Sequence, residues 1–169
     1  MNEPGGVVGV PEVGVPQPRA ASTPDGFLVT GAVLAPGTTV CTADLDRRAC
    51  GPQRVHYVTR SCDQVDTVYG VALHDVLTGI GLRLRADRKM DHLTFLVVAR
   101  SQDGYQVVLS WGEVDPEFGA CAALLATRYN DLALPRPTLV LPRDGRGSRY
   151  VRMLSELRVV RVDTEAQVS

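Results

Sequence analysis

Four arginines, Arg143, Arg146, Arg149 and Arg152, recur at three-residue intervals in "LVLPRDGRGSRYVRML", with Gly145 and Gly147 between them. A turn needs only the glycines. Guanidinium groups carry a planar fork of donors that fits carboxylate and phosphate oxygens. Glycine lets backbone N–H groups come close to an anion. The chemistry on offer is anion binding, with Gly147, Arg149 and Arg152 as anchors, and Tyr150 and Trp111 as rings that could line the same cavity. The same residues would also serve as a solvated basic hairpin.

Proton-transfer candidates are fewer. His74 could act as an acid or base near neutral pH, and Glu113 is the second candidate for proton transfer. Glu113, Asp115 and Glu117 form an acidic cluster that also suits a helix cap. His56 sits on an alternating strand and His92 precedes the most apolar one. The four cysteines, Cys41, Cys50, Cys62 and Cys121, contain no Cys-x-x-Cys pair and no histidine at zinc-finger spacing, so reduced thiols are expected. No nucleophile elbow, phosphate loop, dinucleotide fingerprint or metalloprotease motif is present.

These residues need a frame. A chain of 169 residues, 44% of them hydrophobic, buries about two-thirds of its unfolded surface, and one domain over residues 26–163 is expected. Residues 1–25, rich in Gly, Pro and Val, read as a flexible leader, and 164–169 as a tail. A net charge of −1 argues against a globally basic nucleic-acid binder. Between Arg136 and Arg161, seven Arg face only Asp144 and Glu156, a local balance of +5. No signal peptide or span of about 20 apolar residues is seen. A cytoplasmic protein with a small-molecule partner, no nucleic acid and no membrane is the expectation.

The apolar patterning gives the elements. "FLVTGAVL" reads as a strand and "TADLDRRA" as a helix with Thr42 as its N-cap. "RVHYVTRS" alternates, with Val55, Tyr57 and Thr59 on one face. "TVYGVALHDVLTGIG" has helical spacing from Val71 to Ile80 and stops at Gly79 and Gly81. "HLTFLVVARSQDGYQVVLSWGEV" reads as two strands joined at Asp103-Gly104. A helical turn over Glu113 to Glu117 follows. "CAALLATRYND" suits strand or helix, and "TLVLP" and "SELRVVRVD" close the chain as strands. The sum is an α+β fold, mostly antiparallel or mixed β with short helices.

The ordered set "YGVALHDVLTGIGL", "DGYQVVLSWGEVDPEFG", "LLATRYNDLALP" and "TLVLPRDGRGSRYVRMLSELRV" resembles the sulfite-oxidase-type molybdopterin-binding domain, from roughly Phe27 to Val162. The resemblance implies that fold, and gives Gly147, Arg149, Val151 and Arg152 the Gly-x-Arg-x-Val-Lys pattern that holds the pterin. It makes Cys62 the molybdenum ligand and sets His74 where that family commonly has an aromatic residue. The chain departs from the family pattern in three places. "CDQVD" has no Gly-Asn after the cysteine, no His-Gly loop precedes "LPRPTLVLP", and only the Pro/Gly leader precedes the core. The favoured expectation is therefore a cofactor-free descendant that binds a small polar or anionic organic molecule and carries out a non-redox step on it through His74 and Glu113. A molybdopterin-dependent oxidoreductase with Cys62 as metal ligand is the alternative, and a scaffold or regulatory protein the third.

Overall fold

The computed structural model describes residues 25–119 and 121–163. The expected leader and tail lie outside this range apart from Asp25. The chain runs β1 (Gly26–Gly31), β2 (Thr38–Cys41), α1 (Thr42–Arg48), β3 (Cys50–Val58), β4 (Asp63–Ala72) and α2 (Leu73–Ile80). It continues through β5 (Phe95–Ser101), β6 (Gln106–Ser110), α3 (Trp111–Val114), β7 (Leu124–Tyr129), β8 (Leu132–Val140) and β9 (Leu154–Arg161). Short 3₁₀ turns cover Asp91–Thr94 and Gly147–Arg149.

The strands form two sheets, ordered β2-β1-β9-β5-β6 and β3-β4-β7-β8. All pairings are antiparallel except β1 with β9. The fold is thus mixed α+β, mostly antiparallel, as the patterning implies. Strand alternation assigns the faces. In β5, Phe95, Val97 and Ala99 are buried, while Leu96 and Val98 are only half covered. The buried faces of the two sheets contribute to one hydrophobic cluster that includes Phe27, Val68, Leu109, Leu125, Leu139 and Leu157. Helix α1 rests against β4, β7 and β8. Asp46 fixes it there by accepting from the Thr127 hydroxyl at 2.7 Å and the Arg128 Nε at 2.8 Å.

Several boundaries differ from the sequence reading. Cys41, not Thr42, occupies the N-cap of α1, and the Thr42 hydroxyl donates instead to the Pro135 carbonyl at 3.3 Å. Helix α2 starts at Leu73, whereas Val71 belongs to β4, because the strand residues Val68 and Val71 happen to continue the helical apolar spacing. Gly81, at φ 88°, ends α2 as expected, and Gly79 lies inside it. The capping helix over Glu113 starts earlier, at Trp111, and "CAALLATRYND" resolves to strand β7. Asn130 and Asp131, at φ 47° and 67°, make the two-residue turn that sends β7 into β8, the backbone geometry preferred between antiparallel strands.

Candidate functional site

Three segments converge on a cleft of about 520 Å³, a volume typical of small-molecule sites. They are the end of β3 with its following turn (Tyr57 to Arg60), the β5–β6 loop (Ser101, Asp103 and Tyr105) and the arginine turn (Arg146, Gly147, Ser148, Tyr150 and Arg152). The β5–β6 loop is the hairpin expected at Asp103-Gly104. Gly104 sits at φ 91°, and the Ser101 N–H donates to the Tyr105 carbonyl at 2.8 Å. Two bonds hold the segments together. The Val58 N–H donates to the Gly145 carbonyl at 2.9 Å, and the Tyr105 hydroxyl donates to the Ser148 carbonyl.

A tyrosine cluster forms one wall. The rings of Tyr57 and Tyr150 lie 4.8 Å apart at 52°. A Cβ on Gly147 would come within 2.7 Å of the Tyr57 ring, so this glycine makes room for an aromatic side chain. The Tyr57 hydroxyl donates to Asp66 Oδ2 at 2.7 Å, and Asn130 Nδ2 donates to the other Asp66 oxygen at 2.8 Å. Burial, then the Asp66 bond, raises the Tyr57 pKa, and burial pushes Tyr150 up to about 12. Both phenols stay protonated at neutral pH. The buried hydroxyls of Tyr150 and neighbouring Tyr129 have no hydrogen-bond partner among the described residues.

The arginines divide sharply. Arg60, Arg146 and Arg152 line the cleft, are exposed, and form no ion pair among the described residues. Among the described residues Asp103 is the one carboxylate in the lining, set against the three arginines. Asp103 is itself occupied by the Ser101 hydroxyl and the Tyr105 N–H, and the Ser101 bond in particular lowers its pKa. Arg149 is used elsewhere. Its Nε and Nη2 reach the two Asp144 oxygens at 2.7 Å each, and its Nη1 reaches Glu113 Oε1 at 3.0 Å. These contacts raise its pKa further, Asp144 first.

Of the residues singled out from sequence, Gly147, Tyr150 and Arg152 therefore meet at the cleft, whereas Arg149, Trp111, His74 and Glu113 stand outside its lining. Trp111 is 2% exposed, with its indole N–H donating to Asp115 Oδ2 at 3.1 Å. His74 packs on it, 5.7 Å between ring centroids, and contacts Asp75 at 3.2 Å. Glu113 closes a capping box with Ser110. Its Oε2 accepts from the Ser110 N–H at 2.9 Å and hydroxyl at 3.0 Å.

Arg146, one of the four arginines marked by their spacing, also lies in the wall, whereas sequence reasoning missed Tyr57, Arg60 and Tyr105. Tyr57 was visible only as the buried face of an alternating strand. Arg60 and the hairpin become neighbours only through pairing distant in sequence.

The Ser110 N–H, ahead of Arg149, holds the Glu113 pKa below the usual carboxylate range. A depressed folded pKa gives stability that is complete above the unfolded value of about 4.3 and fades as pH falls through the folded one. Denaturation midpoints should therefore drop below about pH 4.3, and less steeply in Glu113→Gln. A midpoint-versus-pH series on both proteins checks this.

The pterin cofactor implied by the resemblance can be tested against these side chains. Cys62 is exposed in the turn between β3 and β4, outside the cleft lining, and its sulfur takes the Gln64 amide at 2.8 Å. A ligand thiolate works in a shaped, water-excluding site with supporting contacts. Arg149, the matched pterin anchor, is already neutralised by Asp144 and Glu113. The residues do not fit the cofactor.

No family model matches the chain, and no curated protein matches it. What remains is the chemistry of the cleft. The Cys121 thiol donates to the Glu113 carbonyl at 2.8 Å and has a pKa raised by burial, so it makes a poor nucleophile. All four cysteines are free. Among the described residues no group of three or more His, Cys, Asp or Glu is placed to hold a metal ion, and no helix is long and apolar enough to cross a membrane.

Proposed function

We propose that this protein binds a small organic anion with a flat, unsaturated portion, on a cofactor-free version of the sulfite-oxidase-type scaffold. The carrying observation is the cleft in which Arg60, Arg146 and Arg152 have no carboxylate partner among the described residues while tyrosine rings form the adjoining wall. Charge-assisted bonds from these arginines hold the anionic group. Tyr105, 48% exposed at the rim, offers its face to the planar part. Binding is the favoured role over turnover, because His74 and Glu113 stand away from the cleft. The molybdopterin reading is disfavoured by the position of Cys62 and the engagement of Arg149. One molybdenum per chain in protein from a host that makes the cofactor, lost in Cys62→Ser, would reinstate it.

The direct test is calorimetric titration with aromatic carboxylates and aryl phosphates, with inorganic phosphate as the ring-free comparison. Arg146→Ser and Arg152→Ser should each weaken binding at least tenfold with unchanged melting temperature, since exposed arginines contribute little to folding. Arg149→Ala should do the reverse. It should lose about 1–2 kcal/mol of stability, because a bidentate, partly buried ion pair is broken, while the folded protein keeps its affinity. Equal losses of affinity in all three variants would sink the assignment of the cleft.

A further inference from the structure

We infer that β6 is an interface strand and pairs antiparallel with β6 of a second copy of this chain. The two sheets have four edges, and three of them are blunted in ways that discourage pairing. Strand β2 has only four residues. Strand β3 carries Pro52, exposed Arg54 and a register shift between Cys50 and Gln53. Strand β8 contains Pro135 and Pro137, and its Leu139 pairs with Val151. Strand β6, "QVVLS", has no proline, no charge and an unbroken register with β5.

The hairpin fixes which backbone groups of β6 face outward. Ser101 and Tyr105 form a hydrogen-bonded pair. By antiparallel alternation the bonded pairs above it are Ala99 with Val107 and Val97 with Leu109. The N–H and C=O groups of Gln106, Val108 and Ser110 therefore point away from β5. Ser110 gives its N–H to Glu113 and begins α3. Gln106 and Val108 have no outward hydrogen-bond partner among the described residues.

A second copy satisfies them without remainder. A twofold axis beside Val107 sets Gln106 of each copy opposite Val108 of the other, so each outward N–H and C=O of these two residues meets its complement. No like charges are opposed. The outer sheet face gains as well. Val108, 51% exposed, lies beside half-covered Val98, with Leu96 and Val160 in the next row, and the twofold covers it with Gln106 of the second copy. The same axis brings α3 of the second copy toward the hairpin that walls the cleft.

The test is sedimentation velocity on the full chain over a concentration series, with Val108→Lys and Gln106→Pro. Val108→Lys places a charge at an exposed position. Gln106→Pro removes an outward donor at the first strand position, where proline is tolerated. We expect a dimer for the parent chain and at least tenfold weaker association in each variant, with unchanged circular dichroism. Hydrogen exchange provides a reading without substitution, since the Gln106 and Val108 amides should slow as dimer forms. A parent chain that stays monomeric at its highest soluble concentration overturns the inference. So does a dimer equally strong in both variants, or one that leaves those two amides unprotected.

Discussion

Gly70→Ala should destabilise the fold sharply, although the change adds only one methyl group to a strand residue. A Cβ at Gly70 would lie 2.2 Å from the Leu125 carbonyl oxygen and 2.8 Å from the Ala126 Cα. Both are backbone atoms of β7, the strand paired with β4, and the β4–β7 register already shifts between Tyr69 and Gly70. A side-chain neighbour could rotate aside, but here two central strands must separate. The cost is about 3 kcal/mol or more, at the upper end of overpacking substitutions, against a typical stability of about 5–15 kcal/mol for a whole domain. Gly79 is the internal comparison. It lies exposed in α2, and a Cβ there meets nothing within 4 Å. Gly79→Ala should therefore raise stability by about 0.5–1 kcal/mol through helix propensity. Urea unfolding of the two variants checks both signs, and a Gly70→Ala midpoint within error of the parent would show that the strands do not approach as closely as described.

Trp111→Ala should cost about 3–5 kcal/mol, the range for truncating a fully buried aromatic side chain. The indole is buried where α3 meets the five-stranded sheet, supports the His74 ring, and donates to Asp115. Trp111→Phe keeps part of the volume and should cost less. It leaves the Asp115 carboxylate without that donor, while the Glu117 N–H still binds its other oxygen at 2.9 Å. Neither variant should change the anion affinity of the molecules that remain folded. If Trp111→Phe unfolded no more readily than the parent but lost the anion, Trp111 would belong to the site after all.

The elements legible in the sequence were those whose period is set locally. Alternation in "RVHYVTRS" marked strand β3, the apolar run "FLVVARS" marked β5, and Asp103-Gly104 marked the hairpin between β5 and β6, because turn chemistry and side-chain facing act over a few residues. The β4–α2 junction was misplaced, since the strand residues Val68 and Val71 sit where a helix would also put apolar groups. In the site, the arginine turn was recognised, but its division was not. Whether Arg149 or Arg152 faces the cleft depends on Asp144 and on Glu113, 36 residues distant in the chain. Spacing of three residues does not carry that information, and it gave all four arginines one apparent purpose.

Trp111 is the sole tryptophan of the chain, and its place in the core has an optical consequence. Intrinsic indole emission reports the docking of α3 and the surroundings of His74, with a red shift when the core opens to solvent. Anion binding in a tyrosine-walled cleft should pass almost unseen in the same channel, and would register in tyrosine absorbance.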